Sequence, residues 1–352
     1  MKFFCGKDNI LDPLLKVTRA IAVRNPLPIL SGILFELKDN TLNLTATNLE
    51  MGIKCTVQVN GEKDGNTVLP ARQLVELVRR LPSTTALLET DYDTNATTIA
   101  YGESVARFHG FPSMEYPSLA FAEGYTFSLK GELLRNMLKQ VLFAAGTDEN
   151  RPIFTGVFLQ IEDGEMTMVA TDTHSLALRK QSLELEGSVR TKIVIPSKTL
   201  AELNKIIAPE EDITVTITEN QIFFLTGDTT VMSRLIEGKF PDYKKVIPDN
   251  FRSTIKADSK GLLEALGRAY LLAVEGNQAV KLQPSDEKLI ITADTELGSI
   301  REELEMELEG EAFDIFFNAK YLIDVINALN SESVLLNLTG PTSAGIVKSP
   351  DS

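Results

Sequence analysis

Histidine and cysteine are scarce in this chain: its 352 residues hold two of each. Cys5 and Cys55 lack the paired spacing of a zinc site and fall in apparent strand patterns, so they read as buried free thiols. With only His109 and His174 present, acid–base catalysis has few carriers. The arrangement to weigh joins Asp172, His174 and Ser175, or a serine elsewhere such as Ser233. A GxSxG nucleophile elbow, a phosphate loop and a dinucleotide fingerprint are all missing. No apolar run approaches the ~18 residues of a membrane span, and the N-terminus lacks the basic-then-apolar layout of a signal peptide. The expectation is a cytoplasmic protein without membrane contact or a zinc site, in which hydrolase chemistry finds little support.

What the chain does have is a repeat. Thr45-Ala-Thr-Asn48, Val169-Ala-Thr-Asp172 and Ile291-Thr-Ala-Asp294 fall 124 and then 122 residues apart, each inside a stretch that alternates apolar and polar residues as half-buried strands do. Asp172 thus has counterparts in Asn48 and Asp294, where the residue two positions on is Glu50 or Glu296 and not histidine. A residue type that recurs by symmetry argues for a structural role and against hydrolase chemistry.

Each unit carries two helical patterns. Upstream of the motif, Ile10, Leu11, Leu14 and Leu15, then Leu133, Leu134, Met137 and Leu138, then Leu262, Leu263 and Leu266 repeat at the spacing of one buried helix face. Downstream, Leu74, Leu77, Val78 and Leu81, then Leu200, Leu203 and Ile207, then Leu322, Val325, Ile326 and Leu329 do the same. Pro70 and Pro196 precede two of these helices, and Ser197 or Asn318 is placed to cap. Short alternating runs follow, ending in Phe111-Pro112 and Phe240-Pro241 in the first two units. The third unit reaches its hairpin at Gly345 to Val347 without a counterpart of Ser104 to Phe108 or Thr229 to Leu235, so it is expected to lack a last strand. Boundaries near Phe121 and Pro248 give three domains, 1–121, 122–248 and 249–352. The fold class is α+β, each domain placing two helices on antiparallel sheet. Between the last two, IEGKFPDYKKVIP (Ile236 to Pro248) is held extended by its prolines and is expected to anchor through Phe240, Tyr243, Val246 and Ile247.

The formal net charge of −14 excludes a protein that coats nucleic acid with its whole surface. The six helical segments nevertheless carry a net +5, which leaves −19 for the rest. Such helix faces are either ordinary solvated surface or a shared phosphate-facing surface bearing Arg72, Arg79, Arg80, Arg135, Lys139, Lys198 and Lys205. No aromatic platform or recognition helix accompanies them, so contact with DNA would be indifferent to sequence.

Across nearly the whole chain, through MKFF, LPILSGILFEL, TGVFLQ, VATDTHSLALR and FPDYKKVIP, the sequence resembles the bacterial DNA polymerase III beta-subunit family of sliding clamps. The resemblance implies a head-to-tail homodimeric ring around duplex DNA. It implies partners in the polymerase III alpha subunit, the clamp loader and other proteins with clamp-binding motifs, and no catalysis or cofactor of its own. Matched position by position, it implies a partner-peptide pocket of Phe154, Thr171, Thr173, His174, Ser175, Leu176, Pro241, Lys245, Val246 and Ile247. The family often has Gly at 173 and Arg at 175 and 245, so the changes bear on peptide preference. It implies DNA contacts at Arg24 and Arg151, and a ring seam where Phe108 meets Leu271 and Leu272; a core role is the other reading of these leucines. The family normally continues with a last strand and tail that line the pocket, so the pocket is expected to be incomplete.

Overall fold

The structure is a computed structural model and describes residues 1–22, 27–119, 123–183, 190–285 and 287–351. Its helices are α1 Lys7–Val17, α2 Ala71–Arg80, α3 Gly131–Val141, α4 Ser197–Ile206, α5 Ser259–Ala273 and α6 Ala319–Leu329. The two-helix period expected in each unit is therefore present, and every sheet pairing described is antiparallel. Two compact units are resolved by contact: Met1–Leu138 with Phe158–Met166 and Gln181–Glu237, and Lys139–Val157 with Thr167–Lys180 and Gly238–Ser352.

In the first unit a five-stranded sheet runs in the order Asn60–Lys63, Lys2–Gly6, Thr85–Asp91, Ala96–Tyr101, Ser104–His109. An eight-stranded sheet orders Tyr125–Lys130, Asp212–Ile217, Gln221–Thr226, Thr229–Arg234, Met51–Gln58, Thr41–Thr47, Gly32–Lys38 and Gly65–Pro70. Its central joint pairs Thr229 with Cys55 and Ser233 with Met51, so strands of the first and second repeats form one ladder. Val231 and Ile53 are in register there, and both are fully buried. Residues 120–122, where the sequence suggested a boundary, lie outside the described residues.

In the second unit a seven-stranded sheet runs Ile315–Asn318, Ala279–Ser285, Lys288–Thr295, Gly298–Gly310, Ser253–Asp258, Ser333–Leu338, Gly345–Lys348. The long strand Gly298–Gly310 serves two neighbours, pairing with Lys288–Thr295 over 298–305 and with Ser253–Asp258 over 306–310. Leu262 and Leu266 of α5 and Leu322 and Ile326 of α6 pack on Leu289, Ile291 and Leu336 in one core. Each such side chain contributes about 1.5–3 kcal/mol when fully buried.

The caps follow local chemistry. Asn318 caps α6 as expected, its Oδ1 accepting from Lys320 N at 2.9 Å. Ser197 does not occupy the cap position of α4. Pro196 does, because its extended backbone carries the strand Thr191–Pro196 straight into the helix, leaving Ser197 as the first helical residue. Cys5 and Cys55 are buried free thiols, and desolvation pushes the Cys5 thiol up to about 11.

Candidate functional site

The helix cations differ in exposure and burial. Arg72 on α2, Lys139 on α3 and Lys198 on α4 are exposed. Arg79 and Arg80 share Glu76, at 2.8 and 3.5 Å, and Lys205 pairs with Glu202 at 2.7 Å. Glu202 also receives Arg19 at 3.0 Å; burial pushes its carboxyl up, but hydrogen bonds from Lys205 and Arg19 prevail and hold it below the usual range. Arg135 is half-buried, with Nε enclosed and without a hydrogen-bond partner. Exposed pairs of this kind contribute little to stability, so a phosphate can displace the carboxylate. Arg24 lies outside the described residues. An open groove of about 470 Å³ in the first unit is rimmed by Asp12, Glu211 and Asp228 against Lys16, a charge balance that repels phosphate.

Arg151 sits apart from the helices. It pairs with Asp148 at 2.9 Å, lies 5.6 Å from the Phe154 ring centroid and donates to Thr173 Oγ1 at 3.5 Å, which places it among the expected peptide-pocket residues.

That pocket set is built on a hairpin turn. Thr171 ends the strand Glu165–Thr171 and Leu176 opens Leu176–Ser182. Between them Asp172 Oδ1 accepts from His174 N at 2.9 Å, Ser175 N at 2.7 Å and Ser175 Oγ at 3.1 Å. Thr171 Oγ1 donates to Ser175 O at 2.6 Å and accepts from Thr173 N at 3.0 Å. Thr173 itself takes φ +81°, a left-handed backbone that a β-branched residue rarely adopts. Phe154, on the single turn Pro152–Thr155, is half-buried, and its carbonyl accepts from Gly146 N at 2.8 Å. A Cβ on Gly146 would stand 3.3 Å from Phe154 O and 3.6 Å from Asp172 Cα, so a glycine there lets turn and hairpin approach.

In the extended segment that follows, Phe240 and Tyr243 are buried and anchor it. Val246 and Ile247 do not share that role: they are 64% and 36% exposed, because the short turn Tyr243–Val246 buries one side chain, Tyr243. Pro241 and Lys245 are also exposed, with Lys245 3.3 Å from Asp242.

The same turn holds two of the catalytic candidates, Asp172 and Ser175, in bonds of its own. The Ser175 hydroxyl bonds directly to the Asp172 carboxylate, and His174 contributes its backbone N–H, so no described bond links nucleophile to imidazole to acid. Asn48 makes the same turn in the first repeat, its Oδ1 accepting from Glu50 N at 3.0 Å and Met51 N at 2.8 Å. Ser233 is fully buried and bonded to Thr199 Oγ1 at 3.0 Å. Among the described residues no group of His, Cys, Asp and Glu is arranged to hold a metal ion.

One residue escapes any reading of the spacing. Tyr321, on α6, donates its hydroxyl to Asp172 Oδ2 at 2.9 Å across 149 positions of sequence. Burial pushes the Asp172 carboxyl up, but the bonds from Ser175 N, His174 N, Tyr321 and Ser175 Oγ together hold it below the usual range. Burial and the bond to Asp172 both push the Tyr321 phenol up.

At the expected seam, Phe108 is half-buried on Ser104–His109, the edge strand of its sheet, where Val105 is 65% exposed. Leu271, in the last turn of α5, is 71% exposed and therefore not core; Leu272 is half-buried.

Family models of the DNA polymerase III beta subunit match in three consecutive pieces: the N-terminal domain over residues 1–120, the central domain over 128–242 and the C-terminal domain over 244–352. The beta sliding clamp of Staphylococcus aureus is 34% identical over 361 aligned residues, covering 99% of this chain and 95% of that protein. A DNA polymerase sliding clamp from Bacillus subtilis superposes with a TM-score of 0.96 at 32% identity, over 100% of this chain and 96% of that one. A DNA polymerase III beta chain from Streptococcus pneumoniae gives 0.95 at 29%, with the same coverage. The chain belongs to the beta sliding clamp family, the beta subunits of DNA polymerase III.

Proposed function

We propose that this protein is a DNA sliding clamp, a processivity factor without a catalytic site of its own. Two copies close head to tail into a ring around duplex DNA. The observation that carries the DNA reading is the placement of exposed cations, Arg72, Lys139 and Lys198 foremost, on helices of a chain whose net charge is −14. Helix cations attract phosphate without reading bases, while the acidic remainder repels it, which suits a ring that slides. Three domains, 1–121, 122–248 and 249–352, are the units of the ring, and the cytoplasm is its compartment. No helix among the described residues is long and apolar enough to cross a membrane.

At the seam, Phe108 meets Leu271 and Leu272. Exposed Val246 and Ile247, with Phe154, Leu176 and the Thr171–Ser175 turn, form the groove for short apolar partner motifs. Through it the polymerase III alpha subunit, the clamp loader and other replication and repair proteins are tethered. The test is retention: loaded protein should leave linear duplex far faster than closed circular duplex of the same sequence. Equal departure rates would remove the ring.

A further inference from the structure

The joint between the first two repeats carries the groove of about 470 Å³, a volume within the range of small-molecule sites. Asp12 and Lys16 of α1 and Val57 of the strand Met51–Gln58 line it from the first repeat, and Ile206, Glu211 and Asp228 line it from the second. The two sides are tied within the lining itself, where Thr56 N donates to Asp228 O at 2.9 Å and Cys55 stands in register with Thr229. Lys16 Nζ lies 2.8 Å from Asp12 Oδ2, so that carboxylate is already neutralised. Glu211 accepts a neutral hydroxyl, Thr226 Oγ1 at 2.6 Å, and among the described residues Asp228 is in no ion pair. Two carboxylates of the groove therefore lack a counter-charge.

That lining selects by chemistry. It repels an anion. A metal ion needs oxygens converging on one point, and among the described residues no acidic group is so arranged. Pro13, Val57 and Ile206 add apolar surface, on which methylenes can lie as the stem of a lysine does. We propose that this groove is a binding site for a linear aliphatic polyamine, its ammonium groups on Glu211 and Asp228 and its methylenes against Pro13, Val57 and Ile206. None of the partner-groove residues, seam residues or helix cations named above lines it, so the site stands apart from the clamp reading. Because the ligand touches both repeats, its binding holds their joint closed.

The experiment titrates the full-length wild type with spermidine by calorimetry at fixed ionic strength, with magnesium chloride and ammonium chloride as separate titrants. Spermidine should bind at about one per chain, and neither salt should give a saturable isotherm. Glu211→Gln combined with Asp228→Asn should weaken spermidine about tenfold, since an exposed ion pair contributes up to about fivefold. Glu305→Gln combined with Glu309→Gln removes the same charge from exposed positions of the strand Gly298–Gly310 and should leave the affinity within about twofold. Amide hydrogen exchange at Thr56, whose bond to Asp228 crosses the joint, should slow when spermidine is added to the wild type. Equal weakening by the two pairs of substitutions, or equal binding of magnesium, would reveal a diffuse counter-ion and overturn the site. So would spermidine binding that leaves Thr56 exchange unchanged, a measurement on the wild type that holds even where a variant does not fold. The absence of any spermidine isotherm overturns it outright.

Discussion

Asp172 shows how a residue type can be legible while its partners are not. Its recurrence at Asn48 and Asp294 argues for a structural role, and the bonds that Asp172 accepts from His174 N and Ser175 N give it one in the second repeat. Tyr321, 149 residues away, leaves no trace in spacing, because a bond made by tertiary packing has no period. Since the folded carboxyl titrates below its unfolded value, the stability it lends is fully present above about pH 4 and is lost as the pH falls through the lowered pKa. An acid titration followed at the His174 and Ser175 amides should therefore show a midpoint below about 3.9. A midpoint at or above that value would show that burial outweighs the hydrogen bonds. The seam makes a second prediction at this scale. Leu271 is 71% exposed, so Leu271→Asp should alter protomer stability by no more than about 0.5 kcal/mol. A charge enclosed at each of two seams would nevertheless open the dimer. Sedimentation at micromolar concentration that still shows a dimer would place the seam elsewhere.

Helices and strands were the most readable level. The Leu200 and Leu322 patterns fall in α4 and α6, and the run Gly345 to Val347 falls in the strand Gly345–Lys348, because burial on one face imposes a period that any window of sequence exposes. Partnership between strands was not readable. Nothing local in Met51–Gln58 or Thr229–Arg234 announces that they pair, since alternation fixes which face is buried and not which neighbour lies alongside. The same limit explains Val246 and Ile247: their apolar character suggested anchoring, and only the turn at Tyr243–Val246 decides that they face outward. The pairing carries its own test. Ile53→Ala, at a fully buried position opposite Val231, should cost about 2–5 kcal/mol. Hydrogen exchange should then accelerate in Gln221–Thr226 as well as in Thr41–Thr47. Protection lost only in Thr41–Thr47 would mean that the two repeats open independently.

At the scale of the molecule, binding should be read through salt and topology. Each phosphate neutralised steepens the fall of log affinity with log salt by about 0.9. Replacing Arg72 and Lys198 by alanine should therefore flatten the slope for direct duplex binding by about 2, uniformly across sequences. An unchanged slope would return these side chains to ordinary solvated surface. The shared ladder of the eight-stranded sheet reaches further, into the way the protein is made. Met51–Gln58 leaves the ribosome early, yet its neighbour Thr229–Arg234 begins 171 residues after Gln58. At about 5–20 residues per second, that nascent strand waits roughly 10–30 s with one edge open. For this interval the first repeat carries an unpaired, largely buried-type strand that any second nascent chain could zip onto, so crowding of ribosomes on one message, rather than heat, is the condition under which this protein is most exposed to misassembly.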